Sequence, residues 1–219
     1  MKISMPNMKT VEPSFEILWT FPTIEDIEKI ARVCYKSEKK ICEGSAAKLI
    51  RNMLNRTPKH ETPLEHSLMT VKFICNRGIS HEIVRHRICA YSMESSRYVD
   101  YNKAAEEEIE RIDNEADRQL MQSYGKNLRI IRPEWLDQKY CDMWESGRLV
   151  FDETNEKEVD SAFIFLASVD SSCYDYVCLR ENGIKAEHAR DVLPHALKTE
   201  IVMSANFREW RHVFSLRCD

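Results

Sequence analysis

Five glycines in 219 residues leave this chain without either backbone cradle for phosphate. It has no Gly-x-Gly-x-x-Gly turn and no Walker loop. Both devices need glycine because main-chain N–H groups must approach the phosphates closely. A fold built from this chain that is to hold a dinucleotide must therefore do so with side chains. The stretch Arg85–Tyr98, RHRICAYSMESSRY, answers that constraint. It gathers Arg85, Arg87 and Arg97 with His86, Glu94, Ser95, Ser96, Tyr91 and Tyr98. The planar donor fork of arginine suits phosphate and planar carbonyl edges, and the serines add neutral hydrogen bonds. The run suits a phosphorylated, planar ligand. It equally suits a surface helix end whose arginines pair with acidic neighbours, and composition does not separate the two.

The length suits one sizeable core, hence a single domain over 1–219. A formal charge of -4 and a pI of about 6.0 weigh against a general nucleic-acid binder. They leave room for a local basic pocket. No run of about 18 apolar residues occurs, and MKISMPNMKT lacks the apolar core of a signal peptide. The reading is a cytoplasmic protein with no membrane or nucleic-acid partner. The cysteines at 34, 42, 75, 89, 141, 173, 178 and 218 form no CxxC pair and show no zinc spacing. Reduced thiols, several of them buried as small hydrophobes, and no metal site are expected.

Along the chain, strands are expected at 2–5 and 17–21. Thr23 is placed to cap a helix over 24–36, and a second helix follows Gly44 and Ser45. A loop over 57–66 holds HETPLEH. A metalloprotease site is excluded there, because the second His is not four residues after the first and Pro63 would break the helix. A strand over 69–75 ends at Gly78, and a helix over 79–87 would point Arg85 and Arg87 about 200° apart. The charged run at 103–118 reads as a solvated helix or insertion. A strand at 128–131 and helices at 134–147 and 156–182 follow, the last capped by Gly183. The stripe Val159, Phe163, Leu166, Val169, Cys173, Tyr176 and Val177 reads as core or as a subunit contact face. A short helix at 186–192, a strand at 197–205 and a helix capped by Asn206 close the chain. The fold class is α+β: one mixed α/β domain, a central antiparallel-rich sheet with flanking helices.

Four ordered motifs resemble those of the flavin-dependent thymidylate synthases: HETPLEH at 60–66, Arg85-His86-Arg87 with Ser95 and Arg97-Tyr98, ARDVLP at 189–194, and NFREWRHVFSLR at 206–217. The resemblance spans roughly residues 20–217. It implies reductive methylation of dUMP to dTMP, with methylenetetrahydrofolate as carbon donor and NADPH reducing a bound FAD. It also implies a homotetramer with shared active sites. By resemblance, His60, Thr62, Arg85, His86, Arg87, Glu94, Asn206, Arg208 and His212 hold the cofactor. Glu82, Arg85, Glu94, Ser95, Ser96, Arg97, Arg190 and Arg217 hold dUMP. Arg217 is the catalytic residue, at the pyrimidine edge. The chain departs from the family's usual pattern at Ala90 and Met93, which motivates a second reading: a nucleotide- and flavin-binding module of the same fold that has lost turnover. An RNA-binding protein is disfavoured by the acidic balance and the lack of an RNP-like aromatic strand.

Classical thymidylate synthesis adds a cysteine to the pyrimidine. Here only Cys89 lies near a polar constellation, between Ile88 and Ala90, and it reads as structural. The flavin-dependent family is thought to need no protein nucleophile. The protein's share is then positioning and electrostatics.

Overall fold

The computed structural model describes residues 8–102, 128–146 and 156–218. The expected strand at 2–5 and the charged run at 103–118 lie outside them. In chain order the described elements begin with β1 (Lys9–Val11), β2 (Ser14–Phe21), α1 (Ile24–Val33) and α2 (Ser45–Leu54). Then come β3 (Leu68–Asn76), α3 (Arg77–Ile83), β4 (Ala90–Met93) and β5 (Arg129–Ile131). The last are α4 (Gln138–Glu145), α5 (Glu156–Glu181), α6 (Ala186–Ala189), β6 (Lys198–Ala205) and α7 (Phe207–Arg217). The α+β class holds. The chain groups into two compact units, each drawn from non-consecutive stretches. One comprises Met1–Ser14, Ile74–Ser80 and Glu94–Glu200; the other Phe15–Phe73, His81–Met93 and Ile201–Asp219.

In the first unit, β1 and β5 pair in parallel, Lys9 opposite Arg129. The core is built on α5. Val159, Ala162, Leu166, Val169, Cys173, Tyr176 and Val177 are all buried, against Leu128, Ile130 and Leu136 among others. By length and composition the Val159–Glu181 segment could cross a membrane, but this stripe is used in the unit's own core. Of the two readings offered for the stripe, core is the one borne out. Gly183 ends α5 as expected. Its φ of 83° is left-handed, its N–H bonds the Arg180 carbonyl, and Ile184 N–H bonds the Leu179 carbonyl. That pair is a Schellman cap.

Gly78 does not end β3. It sits inside α3, where an added Cβ would lie 3.2 Å from Asn76 Oδ1. Asn76 Oδ1 accepts from Ile79 N–H at 2.7 Å and so starts the helix earlier than expected.

In the second unit the strands run in the order β2-β3-β6-β4, with β4 antiparallel to β6 and Tyr91 opposite Met203. Along β6 buried and half-buried residues alternate, with Ile201, Met203 and Ala205 inside, as a strand with one face on a core requires. Val71, Met203, Ala205 and Trp210 form that core. Thr23 caps α1 through a reciprocal box with Asp26. Helix α1 ends at Val33, short of the expected 36.

One buried charge pair ties α1 to α2. Arg32 Nη2 lies 2.6 Å from Glu28 Oε1, one turn apart. The Ser45 hydroxyl lies 2.8 and 2.7 Å from the two carboxylate oxygens and donates to them. Burial pushes the Glu28 carboxyl up, but the bonds from Ser45 and Arg32 outweigh it and hold the pKa below its ordinary 4.5. A lowered folded-state pKa stabilises above the unfolded value, and that stability is lost as pH falls through the folded one. Denaturant titrations from neutral into acid pH should show this loss, and Glu28→Gln should flatten it. The variant should also be less stable at neutral pH by about 3–5 kcal/mol, because Arg32 is left buried without its counter-ion. An unchanged acid limb in Glu28→Gln would refute the assignment.

Candidate functional site

In the second unit the Arg-His-Arg run does not lie on a helix. Helix α3 stops at Ile83, and the next N–H groups bond three residues back: Arg85 to the Glu82 carbonyl, His86 to that of Ile83. The Tyr91 hydroxyl on β4 lies 2.8 Å from the Ile83 carbonyl and 2.7 Å from that of His86, and donates between them. The expected helix to Arg87 is therefore corrected, and with it the 200° argument. Arg85 and Arg87 project from an extended turn. Both are exposed, and neither side chain carries a hydrogen bond or ion pair among the described residues. His86 between them is buried.

Helix α7 reaches back to this turn. Asn206 caps it, its Oδ1 accepting from Glu209 N–H at 2.8 Å. Phe207 N–H bonds Ser67 Oγ, and the indole N–H of buried Trp210 bonds the Met69 carbonyl. So seated, the last residue of the helix meets the signature. Arg217 Nε donates to His86 Nε2 at 3.3 Å, and Nη2 lies 3.2 Å from Glu82 Oε2. His86 Nε2 then accepts, which places the imidazole proton on Nδ1. The His212 ring lies edge-on to that of His86, centroids 6.4 Å apart.

A cavity of about 640 Å³ opens beside α7, lined among others by Asn206, Arg208, His212, Lys59, Glu61 and Glu65. Arg208 is ion-paired with Glu65, and Arg211 with Glu61 at 3.3 Å. His60 Nδ1 lies 3.1 Å from the Tyr35 hydroxyl. Thr62 opens a short 3-10 turn over Thr62–His66 and is exposed. Of the expected cofactor set, the structure brings Asn206, Arg208 and His212 to one cavity.

The other expected nucleotide residues lie in the first unit. Arg190, at the start of a 3-10 turn, donates from Nη1 to buried Ser96 Oγ at 3.4 Å and from Nε to the Glu187 carbonyl. Ser95 Oγ accepts from Arg97 N–H, and Arg97 lies 3.7 Å from Glu187. Glu94 is held by the Tyr101 hydroxyl at 2.8 Å and by Lys198 Nζ at 3.1 Å. Burial first, then the Glu94 charge, push the Tyr101 phenol far above its ordinary range. It therefore stays a donor.

Sequence reasoning missed Lys198, 104 residues from Glu94, and Tyr35, 25 residues from His60. No local signal could have paired them. It noted Tyr91 without a role. The structural reading of Cys89 is supported: desolvation raises its pKa, which works against the thiolate that attack requires. Cys75 and Cys173 are buried, with pKa pushed up to about 11 and about 12 by desolvation.

A profile of the family described as "Thymidylate synthase complementing protein" matches residues 19–219. The flavin-dependent thymidylate synthase of Geobacter sulfurreducens is 29% identical over 194 residues, 86% of this chain and 66% of that protein. That of Pyrococcus furiosus is 29% identical over 159 residues, 72% of this chain and 49% of that protein. The chain thus spans between about half and two thirds of the length of these curated relatives. Among solved structures, a UMP/dUMP methylase from Streptomyces cacaoi bound with 5-Br dUMP superposes with a TM-score of 0.66 at 20% identity. It covers 95% of this chain and 80% of that one. A flavin-dependent thymidylate synthase from Helicobacter pylori, complexed with FAD and dUMP, gives 0.60 at 20% identity, covering 94% and 84%. At that identity the two structures establish a common fold.

The Tyr91 phenol satisfies two carbonyls at the end of α3. Tyr91→Phe should cost about 1–3 kcal/mol in urea unfolding, because the His86 carbonyl loses its hydroxyl donor while that of Ile83 keeps the His86 N–H. A midpoint equal to that of the parent protein would show that water serves those carbonyls equally well.

Proposed function

We propose, because this chain belongs to the family of flavin-dependent thymidylate synthases, that it methylates dUMP reductively to dTMP. Methylenetetrahydrofolate is the carbon donor, NADPH the reductant and FAD the bound carrier. The observation that carries the reading is the seating of Arg217 on His86 and Glu82. It joins the first half of the signature to the last residue of the C-terminal motif.

The side chains fit the cofactor. Arg85 and Arg87 are cations without a side-chain partner among the described residues, on a chain with no glycine-rich loop, and so are suited to a diphosphate. The amide of Asn206, the guanidinium of Arg208 and the imidazole of His212 line a cavity with the donors a flavin ring accepts from. His60 and Thr62 are assigned to the same cofactor, as is Glu94. When bound, FAD would supply the redox chemistry, passing on a hydride taken from NADPH.

This chain's own residues bind, orient and polarise. Ser95, Ser96, Arg97 and Arg190 take the dUMP phosphate, with the Arg190–Ser96 bond already formed. Glu82 and Arg85 contribute to holding the nucleotide. Arg217 is placed at the pyrimidine edge, where a fixed cation favours negative charge developing on the N3–C4=O4 unit as C5 is activated. No thiolate is required of Cys89. The assembly is a homotetramer with shared sites, and the protein works in the cytoplasm.

Two measurements test these roles. Arg87→Ala should weaken FAD binding by about 1.5–3 kcal/mol, the range for a charge-assisted hydrogen bond; undiminished flavin retention would reject Arg87 as a cofactor ligand. Arg217→Ala, studied in single turnover with the flavin reduced beforehand, should slow flavin oxidation at saturating dUMP by about 10²–10³-fold. Arg217→Lys keeps the charge but loses the fork, so it should recover only part of the rate. A wild-type rate in Arg217→Ala would make Arg217 a binding residue only. A parent protein that binds flavin and dUMP but never oxidises the flavin would favour the binding-module reading. Ala90 and Met93 on β4 are the departures behind that reading.

A further inference from the structure

Next to the cavity that carries Asn206, Arg208 and His212 lies a second one in the same unit, of about 690 Å³. Lys59 and Arg211 line both. The floor of the second is apolar: Ile24 from α1, with Ala47, Ile50 and Leu54 from α2. Ala47, Ile50, Arg51 and Leu54 fall at i, i+3, i+4 and i+7, on one face of the helix. The core face of α2 is another one, where Ala46 and Met53 are buried. The trough-facing stripe is left half-buried or exposed.

The rim is cationic. Arg51, Arg56, Lys59 and Arg211 line it, and no acidic residue does. Arg51 and Lys59 carry no ion pair among the described residues. Arg56 donates to a neutral partner, the Tyr35 hydroxyl at 3.0 Å, and lies over that ring at 5.5 Å from its centroid. Arg211 has a counter-ion, Glu61. A chain of net charge -4 has thus collected four cations around an apolar floor, three of them without a counter-ion among the described residues.

We propose that this trough holds the glutamate tail of the folate co-substrate. The aminobenzoyl ring lies on the apolar floor, and the carboxylates of a poly-γ-glutamyl extension meet the four cations. The proposal rests on the folate reading given above. The cations come from α2, from the turn after it and from α7. Such a spread suits several carboxylates along a chain better than one phosphate, which a single arginine fork and a lysine would satisfy. The floor runs about 10 Å along α2, at 1.5 Å per residue, enough for a flat ring rather than a hydrated anion. Lys59 and Arg211, shared with the neighbouring cavity, make the lining of the two continuous.

The test is calorimetry on the flavin-loaded protein with tetrahydrofolate monoglutamate and tetraglutamate. The tetraglutamate should bind about tenfold or more tightly, the sum of several exposed ion pairs, and the advantage should shrink as salt is added. Arg51→Ala should remove part of it and Arg51→Lys should keep it. Arg51 is exposed and alanine favours helix, so the fold tolerates the change. Equal affinities for the two folates in the parent protein would overturn the trough assignment and leave the folate reading intact. Binding of neither folate would overturn the folate reading, and this proposal with it. Loss of NADPH affinity in Arg51→Ala, with the gap between the folates unchanged, would give the trough to the phosphate of the nicotinamide nucleotide instead.

Discussion

One phenol hydroxyl decides how the signature stretch is presented. Helix α3 ends at Ile83 with neither glycine nor proline to stop it. Terminal carbonyls of a helix need partners, and Tyr91 supplies its hydroxyl to two of them. Tyr91 reaches them because β4 is locked to β6 with Tyr91 opposite Met203. A slip of one residue would turn Tyr91 to the other face of the sheet. The same strand β6 runs into Asn206, which caps α7, and α7 delivers Arg217 to His86. Strand register, helix stop and guanidinium placement are thus successive consequences of one pairing.

Features written in neighbouring residues were legible in the sequence. The Thr23 cap, the Gly183 stop, the Asn206 cap and the strand at 197–205 each need only a few consecutive positions, and each stands in the structure. The short β1 and β4 were missed because three or four residues give too little periodicity to register. The end of α3 was missed because its stop signal is a side chain from another strand. Asn76 starts that helix through its side chain, while Gly78, read as the end of the strand, lies inside it. The α5 stripe was read as core or as a contact face; spacing marks it as apolar, and the choice of core is a tertiary fact.

The site itself was legible as a list of residues and not as a set of partnerships. The motifs named Glu94, Arg190 and Arg217. Which atoms satisfy them depends on Lys198, Ser96 and His86, each about a hundred residues or more away in the chain. Long-range ion pairs leave no local trace, because either partner alone looks like a surface charge.

The cations of the second unit divide by what already holds them, and the division bears on what each can do. Arg208 and Arg211 are tied to glutamates, so they offer a ligand a fixed position but little unspent charge. The side chains of Arg85, Arg87, Arg51 and Lys59 have no partner among the described residues, so a ligand gains their charge but must order long side chains to use it. Arg217 belongs to neither class. Nε is spent on His86 and Nη2 on Glu82, while Nη1 has no partner among the described residues. A guanidinium held along one edge and open at the other loses little freedom when a substrate arrives. Preorganised stabilisation of developing charge requires that combination: a dipole or cation already oriented, with donors left to give. His86 strengthens it by accepting through a neutral nitrogen, which orients the arginine without cancelling its charge. Glu82 pulls the other way, since its carboxylate partly neutralises the cation it positions. An exposed carboxylate is well screened by water, so the balance favours a positive edge facing the open side.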